Sequence, residues 1–105
     1  MTLYEVNLTV DDAIAAEYER WLDAHIDEIL RLPGFLSAER FSREPSEAEP
    51  HDPSTRYWTV HYRLKDRASL DRYFREDAAR LRADATARFA GRFTASRRVL
   101  VPVSD

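Results

Sequence analysis

Residues 56–64 alternate strictly between two kinds of side chain, and this pattern restricts the segment to a β-strand. Trp58, Val60, Tyr62 and Leu64 form one set. Tyr57, Thr59, His61 and Arg63 form the other. Successive side chains of a strand point to opposite faces, so the first set is predicted to join the core. The second set is polar but more aromatic than an ordinary wet surface, and we expect function on that face.

The first half of the chain gives a strand followed by a helix. Residues 3–10 alternate between apolar and polar side chains, which predicts a strand. Asp11 and Asp12 follow as candidate N-caps, because a carboxylate there satisfies free backbone N–H groups. Apolar residues then recur at helical spacing, and the helix is predicted to stop near Leu32, before the Pro33-Gly34 pair.

The rest of the chain is predicted to contain two strands, a helix and a final strand. A second strand is predicted over 35–43, directly before a loop and the strand described first. A second helix is predicted to begin at Asp66 or Ser69 and to end at Gly91, where a C-terminal glycine belongs. The fourth strand is predicted over 92–103.

The segment 44–55 is a loop with three prolines and four acidic residues. It is long for the connection between two hairpin strands, so it is either a flexible tip or a lid. Its donors Glu47, Glu49, His51 and Asp52 could bind a metal in principle. A loop interrupted by prolines holds such donors poorly, and we predict no metal site.

The order β-α-β-β-α-β predicts an α+β fold of the ferredoxin-like class. We expect one domain over residues 1–105, with a four-stranded antiparallel-type sheet and both helices on one face. The first and third strands are predicted to be central and parallel. A chain of 105 residues is long enough to bury a core of this kind.

The charge distribution argues against nucleic acid as a partner. The net charge is −3, from 16 basic and 19 acidic residues. Residues 1–53 are acidic and residues 54–105 are basic, which two halves packed side by side explain without a partner. The chain has no cysteine, no apolar run of membrane-spanning length and no recognisable leader. We therefore expect a cytoplasmic protein with neither nucleic acid nor membrane as a partner.

Short motifs along the whole chain resemble those of one bacterial family. They lie at residues 4–7, 21–26, 33–35, 57–62, 88–93 and 96–100. In these motifs the chain resembles the family called domain of unknown function 4286. The resemblance implies a small dimeric α+β barrel, similar in shape to the antibiotic-biosynthesis monooxygenase and chlorite-dismutase-like superfamily. It implies no established activity, cofactor or catalytic residue. In such barrels two sheets pack face to face, so the polar sheet face would line the interface of a homodimer.

The candidate site is this polar sheet face. The ligand-binding candidates are Glu5, Asn7, Glu39, Tyr57, Thr59, His61, Arg63 and Arg98. Buried polar groups need partners, so one interpretation is a hydrogen-bonded interface network. The other is a ligand pocket in which His61 acts as the acid/base, since histidine titrates near neutral pH. His25 lies on the apolar stripe of the first helix and is interpreted as a core or interface residue.

Two functions are compatible with these residues. The first is a non-enzymatic homodimeric module that binds a small ligand or a protein. The alternative is a cofactor-independent enzyme, monooxygenase- or isomerase-like, that acts on a small aromatic or acidic substrate. In that case His61 would be the base, and an enclosed cavity is expected to hold it. The sequence contains neither a nucleophile elbow nor a glycine-rich phosphate loop.

Overall fold

The computed structural model describes residues 1–104, and this part of the chain contains four strands and three α-helices. Their bounds are Thr2–Asp11 (β1), Ala15–Ile29 (α1), Phe35–Ser42 (β2), Thr55–Leu64 (β3), Arg67–Glu76 (α2), Ala78–Phe89 (α3) and Phe93–Leu100 (β4). A short 3₁₀ turn over Asp12–Ile14 links β1 to α1. The strands form one sheet in the order β2-β3-β1-β4. The predicted α+β, ferredoxin-like class is confirmed.

The two central strands are β1 and β3, as predicted, but they run antiparallel. The prediction that they are parallel is wrong. Each helical crossover returns the chain to a parallel strand, which makes β1 parallel to β2 and not to β3. The β2-β3 hairpin then reverses the direction, so β3 is antiparallel to both of its neighbours.

The register of the central strands separates the sheet into two faces. Tyr4 pairs with Tyr62, and both side chains are buried against the helices on what we call the inner face. Glu5 pairs with His61 on the opposite, outer face. No helix of the described chain covers the outer face. The alternation of side chains along each strand therefore separates a buried, apolar face from an outer, polar face.

The predicted second helix is two helices, because the chain leaves helical geometry at Asp77. This residue has φ −127° and ψ −30°, and its backbone N–H still bonds to the carbonyl of Tyr73. Aspartate is a weak helix former, since its side chain competes for local partners. Here the Asp77 carboxylate accepts a 2.9 Å hydrogen bond from Arg80, in the first turn of α3. The helix starts follow the prediction more closely, with Asp11 and Asp66 as side-chain caps.

The fourth strand is shorter than predicted. It ends at Leu100, and Val101 and Val103 are exposed beyond it. Pro102 between them has no backbone N–H to donate to a strand partner, which accounts for the early end. Among residues 1–104, no helix has the length and apolar character needed to cross a membrane.

Candidate functional site

The outer face carries a compact polar cluster around Glu5. The Glu5 carboxylate accepts hydrogen bonds from Arg98 Nε at 2.5 Å, from Asn7 Nδ2 at 2.9 Å and from His61 Nε2 at 2.8 Å. Thr59 extends the cluster by donating to Asn7 Oδ1 at 2.7 Å. We call these five residues the outer-face network. It brings together five of the eight residues that the sequence nominated.

Glu5 is the anion that organises this network. Only 5% of the residue is exposed, although it lies on the uncovered side of the sheet. Burial by itself would raise the pKa of Glu5. The hydrogen bonds from Arg98, Asn7 and His61 outweigh burial and lower the pKa from 4.5 to about 2. Glu5 therefore stays charged at neutral pH, and its oxygens are already occupied by partners in the same chain.

The other three nominated residues lie apart from the network. Arg63 and Glu39 face each other at 3.8 Å and are both half-exposed. Tyr57 lies under the loop that precedes β3, where the ring of His51 stacks on it at 3.7 Å between centroids, with the planes 4° apart. Within residues 1–104, Arg63, Glu39 and Tyr57 do not line a common pocket.

The loop over 44–54 is folded onto the sheet. Arg43 anchors it by donating two hydrogen bonds to the Glu49 carboxylate, at 2.8 and 3.0 Å. The same guanidinium donates to the carbonyl oxygens of Leu8 and Trp58 on the two central strands. The loop is thus anchored to the sheet through Arg43, while the choice between a flexible tip and a lid stays a prediction. Within residues 1–104, no three acidic, histidine or cysteine side chains converge closely enough to hold a metal ion.

A cavity of about 290 Å³ lies on the inner face, between the sheet and helices α1 and α3. Its walls are mostly aromatic or apolar, and they include Tyr4, Tyr18, Trp21, Tyr62, Tyr73 and Phe93. His61 is not among the lining residues. The histidine that lines this cavity is His25 of α1, which the sequence predicted to be a core or interface residue.

Two arginines also line the cavity, and neither is neutralised by a carboxylate of the described chain. Arg82 Nη2 donates to the Tyr4 hydroxyl oxygen at 2.8 Å. Arg97 lines the cavity from β4, in register with Val6 on the inner face. Arg98, the next residue, differs from Arg97 in both position and pairing, because it lies on the outer face and forms an ion pair with Glu5. The inner cavity therefore has a positive potential that its own residues leave uncompensated.

His25 is held in its neutral form by this environment. Burial lowers the pKa of its imidazole most, and the nearby charges of Arg82 and Arg97 lower it further, to about 4. Its ring stacks on Trp21 with centroids 4.5 Å apart and planes 19° apart. Burial likewise raises the pKa of the Tyr18, Tyr62 and Tyr73 hydroxyls, which remain protonated at neutral pH. The cavity thus combines two cations, a neutral base and neutral phenols.

Sequence reasoning missed this cavity, although one signal for it was present. The inward positions of β4 are Phe93, Ala95, Arg97 and Val99. A single arginine in an otherwise apolar inward set breaks the alternation of the strand, and that pattern could have indicated a site even though Arg97 itself is exposed. Arg82 gave no such signal, because it lies beside the apolar stripe of a helix rich in exposed charges.

Comparison with known proteins gives a family and a fold. The family model for the domain of unknown function DUF4286 matches residues 1–103. No curated protein matches by sequence. Among solved structures, SnoaB, a cofactor-independent oxygenase from Streptomyces nogalater, is similar with a TM-score of 0.67 at 17% identity, over 99% of this chain and 95% of that one.

Two further structures show how far this likeness extends. A putative antibiotic biosynthesis monooxygenase from Deinococcus radiodurans has a TM-score of 0.70 at 10% identity, over 100% of this chain and 95% of that one. The de novo designed protein Foldit4 has a TM-score of 0.65 at 12% identity, over 96% of this chain and 97% of that one. A designed protein matches about as well as the enzymes do, so these similarities support the fold alone.

Proposed function

The chain belongs to the DUF4286 family, whose function is unknown, and we propose that it binds a small aromatic anion in the cavity between the sheet and helices α1 and α3. The observation that carries this proposal is the pair of arginines, Arg82 and Arg97, which line the cavity without a carboxylate partner. Most arginines elsewhere on the protein are ion-paired. A negatively charged ligand would supply the missing counter-charge.

Charge-assisted hydrogen bonds support an anion in particular. A guanidinium presents several donors in a plane, and it binds a carboxylate through two of them. In a partly enclosed cavity these bonds are worth more than at an open surface, because less water competes for the donors. Arg82 uses one terminal nitrogen for Tyr4, which leaves the rest of its guanidinium for the ligand.

The walls and the size of the cavity support a flat, small ligand. Ligand sites in proteins usually have volumes of about 300–1,000 Å³, so a cavity of 290 Å³ lies at the small end of that range. Tyr18 and Trp21 offer ring faces and edges to a planar guest, with centroids 5.4 Å apart. We therefore propose a ligand with a fused aromatic body and one acidic group.

Calorimetric titration with 2-naphthoate and with its neutral analogue 2-naphthamide tests this proposal. Both ligands have the same ring system, so their difference isolates the acidic group. We expect 2-naphthoate to bind roughly 10- to 100-fold more tightly, which corresponds to the usual contribution of hydrogen bonds to a charged group. Equal affinities, or no binding of either compound, would contradict the proposal.

The second part of the proposed function is a homodimer formed through the outer face. No helix of the described chain covers this face, the 44–54 loop lies only over its Tyr57 end, and Phe41 and Leu100 are exposed on it. Four strands with one uncovered, partly apolar face are suited to pack against a second copy. The outer-face network would then act as an internally satisfied polar centre of the interface. The proposed location is the cytoplasm, with which a chain that has no cysteine is compatible.

Replacing Phe41 with Glu tests the dimer. Phe41 is 45% exposed, and its ring meets His61 edge-on at 5.2 Å. We expect the wild-type protein to have twice the chain mass of 12.3 kDa in light scattering at micromolar concentration. The Phe41→Glu variant should be a monomer, because it would place an unpaired charge in the interface. The control Ala79→Glu lies on the exposed surface of α3 and should remain dimeric. A monomeric wild-type protein would overturn this part of the proposal.

The neutral imidazole of His25 favours a second candidate function, that of a cofactor-independent oxygenase. SnoaB, whose fold is similar, is described as such an enzyme. In this proposal His25 accepts a proton from an acidic C–H or O–H of the substrate, and Arg82 and Arg97 stabilise the resulting anion. Dioxygen then oxidises the anion, and one of its oxygen atoms enters the product while the other leaves as water.

Oxidation of anthrone to anthraquinone tests the oxygenase candidate, with one molecule of dioxygen consumed and one of water formed per turnover. His25→Phe should lower the rate by about 100-fold, as is usual for the loss of a general base, whereas His61→Phe should not. Because the pKa of His25 is about 4, the base is already deprotonated at pH 5, and the rate should stay flat from there to pH 8. An equal loss of rate in both variants would contradict the role of His25.

A further inference from the structure

We propose that the ligand of the cavity is an aromatic phosphate monoester, whose phosphate lies at the open mouth of the cavity between β4 and α3. This inference rests on the proposed binding function, and it names the acidic group that the two arginines would hold. Two lining residues at the mouth are exposed to solvent, Thr86 of α3 and Arg97 of β4. A charged group placed there keeps part of its hydration, which lowers the cost of binding it.

The formal charge of the cavity lining favours a ligand with two negative charges. Arg82 and Arg97 are cationic, and none of the lining residues is an aspartate or a glutamate. His25 does not change this balance, because burial and the two arginines lower the pKa of its imidazole to about 4 and keep it neutral. A carboxylate would neutralise one arginine and leave the other uncompensated. A phosphate monoester carries nearly two negative charges at neutral pH, since its second pKa is about 6.

The two arginines act on the same part of the cavity, although they belong to different elements. Burial raises the pKa of the Tyr73 hydroxyl, and the charges of Arg82 and Arg97 both oppose that rise. The same two charges act on the imidazole of His25. A single doubly charged group at the mouth is therefore attracted by both guanidiniums.

Thr86 adds a third donor at the mouth. It lies one helical turn after Arg82 on α3, so the two side chains share a face of the helix. Its hydroxyl donates to the backbone carbonyl of Arg82 at 3.3 Å, a long bond at an exposed position. Exchanging that bond for one to a charged ligand oxygen gives a stronger contact. Two guanidiniums and a hydroxyl match the three terminal oxygens of a phosphate better than the two oxygens of a carboxylate.

The affinities of 2-naphthyl phosphate and 2-naphthyl sulfate, measured by calorimetry, test the proposal. The two esters share the ring, the ester oxygen and three terminal oxygens, and they differ by one negative charge. We expect the phosphate to bind about tenfold more tightly at pH 7.5, because the second arginine is then also neutralised. This advantage should shrink to about threefold at pH 5.5, where most of the phosphate carries a single charge and His25 is still neutral. Equal affinities of the two esters at pH 7.5 would overturn the proposal.

Substitutions at Thr86 and Arg97 test where the phosphate lies. Thr86→Val removes the hydroxyl but keeps the shape, and it should weaken binding of 2-naphthyl phosphate by about three- to tenfold. Thr86→Ser retains the hydroxyl and should lose less than about twofold. Arg97→Gln should reduce the preference for the phosphate over the sulfate to less than about twofold, since one arginine then remains. Unchanged binding of the phosphate in both Thr86→Val and Arg97→Gln would overturn the mouth as its site.

Binding of 2-naphthoate separates a failure of this inference from a failure of the proposed function. If 2-naphthoate binds while the phosphate ester binds no more tightly than the sulfate ester, the cavity still takes an aromatic anion, and the assignment of a phosphate is wrong. If neither 2-naphthoate nor either ester binds, the proposed function fails and this inference fails with it.

Discussion

Replacing both Arg82 and Arg97 with Gln should weaken 2-naphthoate binding by about 100-fold or more. Each guanidinium offers a charge-assisted hydrogen bond in the cavity, and such a bond contributes about 1.5–3 kcal/mol. Glutamine keeps an N–H donor but is shorter and uncharged, so the neutral ligand serves as the comparison that separates the charge from the shape. Binding of neutral 2-naphthamide should change by less than about threefold, because it makes no use of the positive potential.

The control for this experiment is a pair of arginines outside the cavity. Arg31→Gln with Arg75→Gln removes the same two charges from exposed positions. This control should bind 2-naphthoate nearly as the wild-type protein does, since surface charges are screened by salt. If the control loses as much affinity as the Arg82 and Arg97 variant, the general charge of the protein controls binding and the cavity does not. Calorimetry gives both affinities in the same buffer.

Gly34→Ala should destabilise the fold by about 3 kcal/mol or more. Gly34 has φ +87°, a conformation that side chains disfavour by roughly 1–2 kcal/mol. An added Cβ would also lie 2.1 Å from Ser69 Oγ and 2.3 Å from Ser69 Cβ. Ser69 cannot move aside easily, because its backbone N–H and its hydroxyl both donate to Asp66 at the start of α2. The overlap therefore adds to the backbone strain.

Gly91 is a matched control for this substitution. It has φ +79°, but an added Cβ there would meet nothing within 4 Å. Gly91→Ala should therefore cost only the backbone strain, about 1 kcal/mol. Urea denaturation of the two variants measures the difference in the free energy of unfolding. If both variants lost the same free energy of unfolding, the close approach of Gly34 to Ser69 would make no measurable contribution to the effect of Gly34→Ala.

The strands and their two faces could be predicted from sequence, because side-chain alternation is a local property of an extended chain. The inward set of β3, from Trp58 to Leu64, is buried or half-buried as its spacing indicates. The interruption at Asp77 could not be predicted, since the same residues satisfy a continuous helical pattern. The order of elements also determines that β1 and β3 are antiparallel, so the prediction of parallel strands is wrong for a reason visible in the sequence.

The outer-face network was predictable for the same local reason, whereas the cavity was not. Glu5, Asn7 and His61 follow from the period of two and the pairing of neighbouring strands. The cavity depends on how α1 and α3 pack on the sheet. The spacing of apolar residues along each helix predicts which side of the helix is buried, but it does not predict where a gap remains between the helices and the sheet. Arg97 is the exception, because a charged residue at an inward strand position is visible without a structure.

A crystal structure of the protein with 2-naphthoate tests the central claim most directly. The account predicts the ligand in the cavity between the sheet and helices α1 and α3, with its carboxylate within hydrogen-bonding distance of Arg82 or Arg97. It also predicts that the outer face packs against a second copy of the chain. A ligand bound at the outer face beside His61, with the inner cavity empty, would contradict the account.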